Sequence, residues 1–244
     1  MDRLIYTAMS GAKAALTRQE MAANNLANVS TPGFRAETRA FMTVPVAGST
    51  TRALVDDLAT GADFTPAAIQ RTGRDLDVAI EGRGWLSVEA SDGSEAYTRA
   101  GALVVDANGI LTTSSGRPVL SDGGPISVSP DARIAVSRDG TVSATPPGKG
   151  GTPTPVARLK LVNPEERDIV RGDDGLFRLR GGEPALRDDA VVLTPGALEG
   201  SNVNPVEALV GMIALARQYD LQMKLLTGEE QNARQASQLL NVTA

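Results

Sequence analysis

The stretch from Asn204 to Leu240 constrains the fold most, because it reads as one long amphipathic helix with no neighbour in sequence to pack against. Asn204 is a natural N-cap, Pro205 suits the first helical position and Glu207 completes a capping box. Leu209, Met212, Ala216, Tyr219, Met223 and Leu226 then recur at alternating three- and four-residue steps, and Ala233 and Leu240 keep the phase. Leu221 lies beside this seam, and Gln222 falls on the polar face, where a charge should be tolerated. At about 1.5 Å per residue the helix would be roughly 55 Å long, longer than a small domain is wide. Its apolar stripe must therefore meet another long helix or another subunit.

The only other candidate is at the opposite end. Leu4, Ala8, Gly11, Ala15, Ala22 and Leu26 follow the same rhythm, widened by Ile5, Met9, Ala12 and Leu16. Small Ala and Gly residues allow close approach of a partner helix carrying Met and Leu. This helix runs into Asn24, Asn25, Leu26, Ala27, Asn28, Val29, Ser30, Thr31, Pro32, Gly33 and Phe34. Asn favours turns, Thr31 before Pro32 is pushed to an extended conformation, and Gly33 permits positive φ. The helix should end there in a shaped turn.

Those residues carry a resemblance. Ala23 to Asn28 running into Ser30-Thr31-Pro32-Gly33-Phe34 is similar to the N-terminal signature of the bacterial flagellar rod and hook proteins. Leu198 to Glu207, with Asn202, Asn204 and Pro205, resembles the second signature of that family. The opening Met1 to Met9 and the close around Leu226 to Glu230 most resemble the proximal-rod members, with the distal-rod members as the near alternative. Arg74 to Trp85 extends the match into the middle of the chain.

Between the two ends the pattern changes twice. From Arg35 to Thr72 periodicity is lost and Pro45, Gly48, Gly61 and Pro66 break any long element, so residues 34–72 read as an extended linker. From Gly73 onward short apolar runs alternate with Asp92-Gly93, Asn108-Gly109, Asp122-Gly123, Asp139-Gly140, Asp174-Gly175 and Gly181-Gly182. That rhythm predicts an antiparallel domain of many short strands over 73–200. Pro146 to Pro155 reads as an exposed loop. The expected fold class is α+β: a discontinuous, coiled-coil-like domain of long terminal helices, 1–33 and 201–244, carrying an inserted, mainly antiparallel β-domain.

Composition narrows function mainly by exclusion. The chain has 244 residues, enough for a sizeable core, but only 3% are aromatic, so the core must be built from Val, Ile, Leu and Ala. A formal net charge of −5 without a basic run argues against a nucleic-acid partner. With no cysteine there is no disulfide framework or thiolate metal site. With no histidine, the commonest general base and transition-metal ligand are missing, along with the Ser-His and Cys-His nucleophile systems. No apolar run approaches the length of a membrane span, and no cleavable secretory signal is expected at the N-terminus.

Local motifs add no chemistry. Asp75 and Asp77 could share a proton or a hard cation, but Ile80 stands where a calcium loop needs Gly, so a surface turn is expected. Glu165-Glu166 and Asp188-Asp189 are neighbours that point to opposite faces of a strand and read as solvated. Gly148-Lys149 lacks the first Gly and the Ser or Thr of a phosphate loop, and Gly82-Arg83-Gly84 reads as a tight turn before Trp85. Arg171-Gly172-Asp173 suits a hairpin turn as well as an adhesion tripeptide. No catalytic, metal or cofactor residue is expected.

The resemblance implies a self-assembling structural subunit of the flagellar rod, in the periplasmic basal body, with paired terminal helices inside and the β-domain outside. It also implies other copies and other rod proteins as partners, and export without cleavage through the flagellar type III apparatus. The residues expected to carry assembly are Asn24, Asn25, Leu26, Asn28, Pro32, Gly33, Phe34, Asn202, Asn204, Pro205, Leu209, Met212, Tyr219, Met223 and Leu226. A β-sandwich binding module with oligomerising helices is a second reading, weakened by one Trp and three Tyr. A carboxylate-only hydrolase is a third, without support in spacing.

Overall fold

A computed structural model describes residues 2–45, 53–146 and 151–242. The chain divides into two compact units, one formed by Met1–Asn28, Glu37–Ala62 and Val203–Ala244, the other by Val29–Ala36 and Asp63–Asn202.

The first unit pairs helix α1, Asp2–Ala27, with helix α2, Pro205–Val242, of 38 residues. Asn204 caps α2 as expected: its Oδ1 accepts from the amides of Val206 at 3.0 Å and Glu207 at 3.4 Å. Small residues set the helix pairing. Ala12 and Ala15 of α1 are buried, and a Cβ added to Gly11 would sit 3.2 Å from the Gln222 amide group. Gln222 therefore packs inward against α1, which corrects its assignment to the polar face. Met212, Ala216, Tyr219 and Leu226 are half-buried, whereas Leu209 and Met223 are 49% and 39% exposed. The side chains of Leu4, Ile5, Ala233 and Leu240 lie outside the described residues.

The same unit contains the main departure from expectation. Residues 34–72, read as an extended linker, hold strands β1, Glu37–Pro45, and β2, Ala53–Ala62, paired antiparallel with a bulge between Ala40 and Phe41. This hairpin belongs to the helical unit, where the Arg18 guanidinium lies 4.3 Å from the centre of the Phe41 ring. The pairing was hidden because Glu37 to Val44 has no strict alternation of apolar and polar residues and both strands carry charges.

Among its described residues, the second unit is all β apart from one 3₁₀ turn at Glu166–Asp168. Its largest sheet orders Leu161–Val162, Trp85–Glu89, Glu95–Thr98, Phe177–Leu179 and Ile169–Arg171, each antiparallel to its neighbour. A second sheet joins Arg133–Val136, Thr141–Thr145 and Thr154–Arg158. Val78–Glu81 pairs with Val192–Pro195, and strand β3, Ile69–Arg71, pairs with Ala197–Glu199. The first and last strands of the unit are thus partners, which brings its two chain ends together. Val88, Leu103, Leu111, Val119, Val142 and Leu193 are fully covered in one aliphatic core, as the scarcity of aromatics requires.

Two local expectations are corrected here. Thr154 and Pro155, placed in a loop, begin an edge strand, where register slips between Val142 and Ser143 as Pro155 arrives; an edge with a bulge tolerates the missing amide. Within that segment residues 146 and 151–153 are in no strand, and residues 147–150 lie outside the described residues. Asp77, expected in a surface turn, is only 1% exposed and accepts a 2.6 Å bond from the Thr72 hydroxyl, with Arg74 at 3.4 Å. Asp75 does sit at the surface, paired with Arg133 at 2.7 Å.

Candidate assembly site

The terminal signatures build two structures, one in each unit. In the helical unit, α1 stops where Asn28 takes over its last carbonyls. The Asn28 amide reaches the Asn24 and Asn25 carbonyls at 3.2 Å and its side chain reaches Asn24 O at 2.9 Å. Asn25 fastens the hairpin by reading the backbone of Glu37 as a strand would. Its Oδ1 accepts from the Glu37 amide at 2.7 Å, and its Nδ2 donates to the Glu37 carbonyl at 3.0 Å. Leu26 is half-buried beside it and Asn24 is exposed.

In the β unit, Thr31 to Phe34 close a turn through a 3.2 Å bond from the Phe34 amide to Thr31 O, with Pro32 second and Gly33 third at φ 70°. This order and sign belong to a type II turn. Gly33 is required twice over. A Cβ there would fall 2.2 Å from the Arg99 carbonyl carbon, and its amide donates to Glu199 O at 2.8 Å. Phe34 lies 4.8 Å beneath the guanidinium of Arg171, which also donates to Arg35 O at 2.9 Å. The Arg of the adhesion-like tripeptide is therefore turned inward to hold this segment. Asn202 completes the clasp. Its Oδ1 accepts from the Ala36 amide at 2.7 Å while its Nδ2 donates to Asp63 O at 2.9 Å.

Beneath this clasp lies a charged cluster that sequence reasoning missed. Glu199, 2% exposed, bridges Arg35 at 2.8 Å and Arg99 at 3.0 Å, which are 2% and 5% exposed. Arg35 also donates to Thr65 O at 2.6 Å, and Arg99 to Gly82 O at 2.6 Å. Two cations share one carboxylate, and the Nε atoms of both arginines have no hydrogen-bond partner. Burial, opposed by Glu199, draws Arg99 below the ordinary guanidinium range, and the nearby Arg35 charge adds to the effect. The only signal was Glu199 in a short strand otherwise made of Ala197 and Leu198, and isolated charges are normally read as solvated. An aromatic trio of Phe64, Trp85 and Phe177 flanks the cluster, with Arg99 5.5 Å above the Trp85 ring.

The helical unit also carries a groove of about 440 Å³ lined by Met9, Lys13, Leu16, Tyr219, Met223 and Leu226, among others. On a different face of α2, Val206, Val210 and Ile213 are 68%, 63% and 56% exposed. Among the described residues there is no cluster of three or more acidic groups able to hold a metal, and no helix long and apolar enough to cross a membrane.

Comparison with known proteins covers the same segments. Residues 5–35 match the family model described as flagella basal body rod protein, 79–144 the flagellar hook protein FlgE/F/G D1 domain, and 194–239 the flagellar basal body rod FlgEFG protein C-terminal. The chain is 47% identical over 252 residues to the flagellar basal-body rod protein FlgF of Salmonella typhimurium, and equally to that of Escherichia coli, covering 100% of each chain. It is 31% identical over 257 residues to the flagellar basal-body rod protein FlgG of Agrobacterium fabrum, covering 95% of this chain and 97% of that one.

Proposed function

Because the chain belongs to the flagellar basal-body rod protein family, we propose that it is a structural subunit of the rod, located in the flagellar basal body and serving motility by assembly and not by catalysis. The observation that carries this reading is full-length similarity, at 47% identity, to proteins named for that role, with both terminal signatures present. The proximal rod fits best, because the 47% identity with two FlgF proteins exceeds the 31% found with an FlgG protein.

The mechanism is mechanical. The helix pair supplies a coiled-coil-like assembly element through Leu209, Met212, Tyr219, Met223 and Leu226. The clasp at Pro32, Gly33, Phe34 and Asn202 fixes how the chain enters and leaves the β unit, while Asn24, Asn25, Leu26 and Asn28 end α1, and Asn204 and Pro205 start α2. Its partners are further copies and other rod proteins, and its route out of the cytoplasm is the flagellar type III export apparatus.

Imaging basal bodies from a strain lacking this chain tests the reading. Loss of the proximal shaft is the expected result. Loss restricted to the distal shaft would favour the FlgG-like alternative, and unchanged basal bodies would overturn the rod assignment.

A further inference from the structure

The β unit holds a cavity of about 800 Å³ whose wall includes Arg35, Asp63, Phe64, Pro66, Trp85 and Arg99. Its volume falls within the roughly 300–1,000 Å³ of ordinary small-molecule sites. A mechanical role makes no use of it.

Hydrogen bonding on that wall is incomplete. A guanidinium carries five N–H groups. Arg35 places two of them, on Thr65 O and Glu199 Oε1, and Arg99 places three, on Ile80 O, Gly82 O and Glu199 Oε2. Both residues are buried, and neither Nε has a partner among the described residues. Donors left over at a buried wall call for an acceptor. One acceptor is left over as well. Asp63 Oδ1 takes the Thr65 amide, at 2.8 Å, and the Thr65 hydroxyl, whereas its Oδ2 accepts nothing among the described residues. Those two bonds hold the Asp63 carboxyl below its usual range, so it is ionised at neutral pH.

Charge decides what kind of ligand these groups fit. Arg35 and Arg99 are balanced by Glu199 behind the wall and by Asp63 on it. At the rim Arg83 pairs with Glu166 at 3.6 Å and Arg167 with Glu165 at 2.8 Å. A ligand of net charge would upset that balance, whereas one carrying both a carboxylate and an ammonium keeps it. Phe64, half-buried, and Pro66 add an apolar side.

We propose that this cavity binds a small zwitterion of the amino-acid class, its carboxylate against Arg35 and Arg99, its ammonium against Asp63 and its side chain against Phe64. The site goes beyond the rod-subunit reading and does not depend on it. Arg35 lies close to where the chain enters the β unit and Glu199 close to where it leaves. An occupant held by this cluster would therefore stabilise the clasp, as any ligand of the folded state does.

Trp85, the only tryptophan, is part of the wall and 5.5 Å from the Arg99 guanidinium, so its fluorescence reports an occupant. Glycine, leucine and phenylalanine are titrated into the purified full chain, with the heat of binding measured in parallel. Saturable binding of at least one is expected, together with a rise in the urea midpoint. For that amino acid, the N-acetyl derivative lacks the ammonium and the amide lacks the carboxylate. Each should bind about tenfold more weakly or worse, as loss of a charged hydrogen bond requires. Asp63→Asn should reduce the affinity for the amino acid to that of the N-acetyl derivative without weakening the derivative itself.

No saturable binding of any of the three would overturn the proposal. Equal binding of the amino acid and its derivatives would show apolar contact alone and would overturn it too, as would an Asp63→Asn chain that binds the amino acid as before. Should Asp63→Asn fail to fold, the derivatives decide on the unaltered chain. Incorporation into basal bodies is measured separately, and its loss bears on the rod reading and not on this site.

Discussion

In the β unit Val88, Leu103, Leu111, Val119 and Leu193 are completely covered, whereas in the helical unit Val206, Val210, Ile213, Leu221 and Leu225 stand mostly in solvent. Residues of the same chemistry thus meet opposite environments within one chain. A fully buried Val or Leu contributes about 1.5–3 kcal/mol relative to an exposed one, so the β unit obtains its stability internally. The helical unit leaves a comparable gain unrealised until something covers it. The difference separates a unit whose apolar side chains are covered within the chain from one whose apolar side chains stand in solvent.

Glu199→Ala should break the comparison most severely, from the side of the β unit. It leaves Arg35 and Arg99 buried without a counter-charge, a change that costs about 3–5 kcal/mol in comparable sites. Urea unfolding followed by Trp85, the only tryptophan and a neighbour of Arg99, should show a large fall in midpoint. Glu199→Gln, which can keep part of the hydrogen bonding, should fall less. An unchanged midpoint for Glu199→Ala would mean that the cluster is not what ties the clasp to the core.

The helical side should respond in the reverse manner. Leu226→Asp places a carboxylate in the groove, where burying the charge without a partner costs several kcal/mol. The β unit should melt as before while the chain disappears from purified basal bodies. Gln218→Asp, at an exposed turn of the same helix, should incorporate normally. Gln222→Asp should behave like Leu226→Asp, because Gln222 lies against Gly11. Equal incorporation of Leu226→Asp and Gln218→Asp would remove the argument that this face carries assembly.

Gly33→Val sharpens the boundary between the two kinds of defect. The positive φ alone costs about 1–3 kcal/mol for a residue other than glycine, and the added Cβ meets the Arg99 backbone. Since Gly33 is held within the β unit, both Trp85 unfolding and incorporation should suffer. A purely local effect on the direction of the chain would spare the unfolding midpoint, and that outcome would show that the clasp can yield without cost to the core.

Sequence made the helices legible because their spacing is periodic over many turns and their caps are explicit, as Asn204 and Asn28 show. It made the strand-rich middle legible through its turn chemistry. What stayed hidden depends on contacts between distant segments: the hairpin at Glu37 to Ala62, which no simple alternation announces, the inward turn of Gln222, and the burial of Asp77. Arg35, Arg99 and Glu199 are 64 and 100 positions apart along the chain. The pairing of β3 with Ala197–Glu199 and the close approach of Gly33 to Arg99 help bring them together, so no local pattern could have joined them.

The smallest expected effect concerns acid and tests whether the edge of the clasp contributes to the β unit at all. Hydrogen bonds from the Thr65 hydroxyl and then the Thr65 amide hold the Asp63 carboxyl below its usual range, with a smaller contribution from the Arg35 charge. A carboxyl whose folded value lies below its unfolded one adds stability above the unfolded pKa, about pH 4. That contribution is lost as pH falls through the folded value. Thr65→Val removes the hydroxyl donor while leaving the amide, so it should lower the Trp85 unfolding midpoint slightly at neutral pH. The gap from the unaltered chain should narrow as the solution is acidified below pH 4 or so. A gap that stays constant with pH would show that the lost hydroxyl acted through packing and not through the carboxylate.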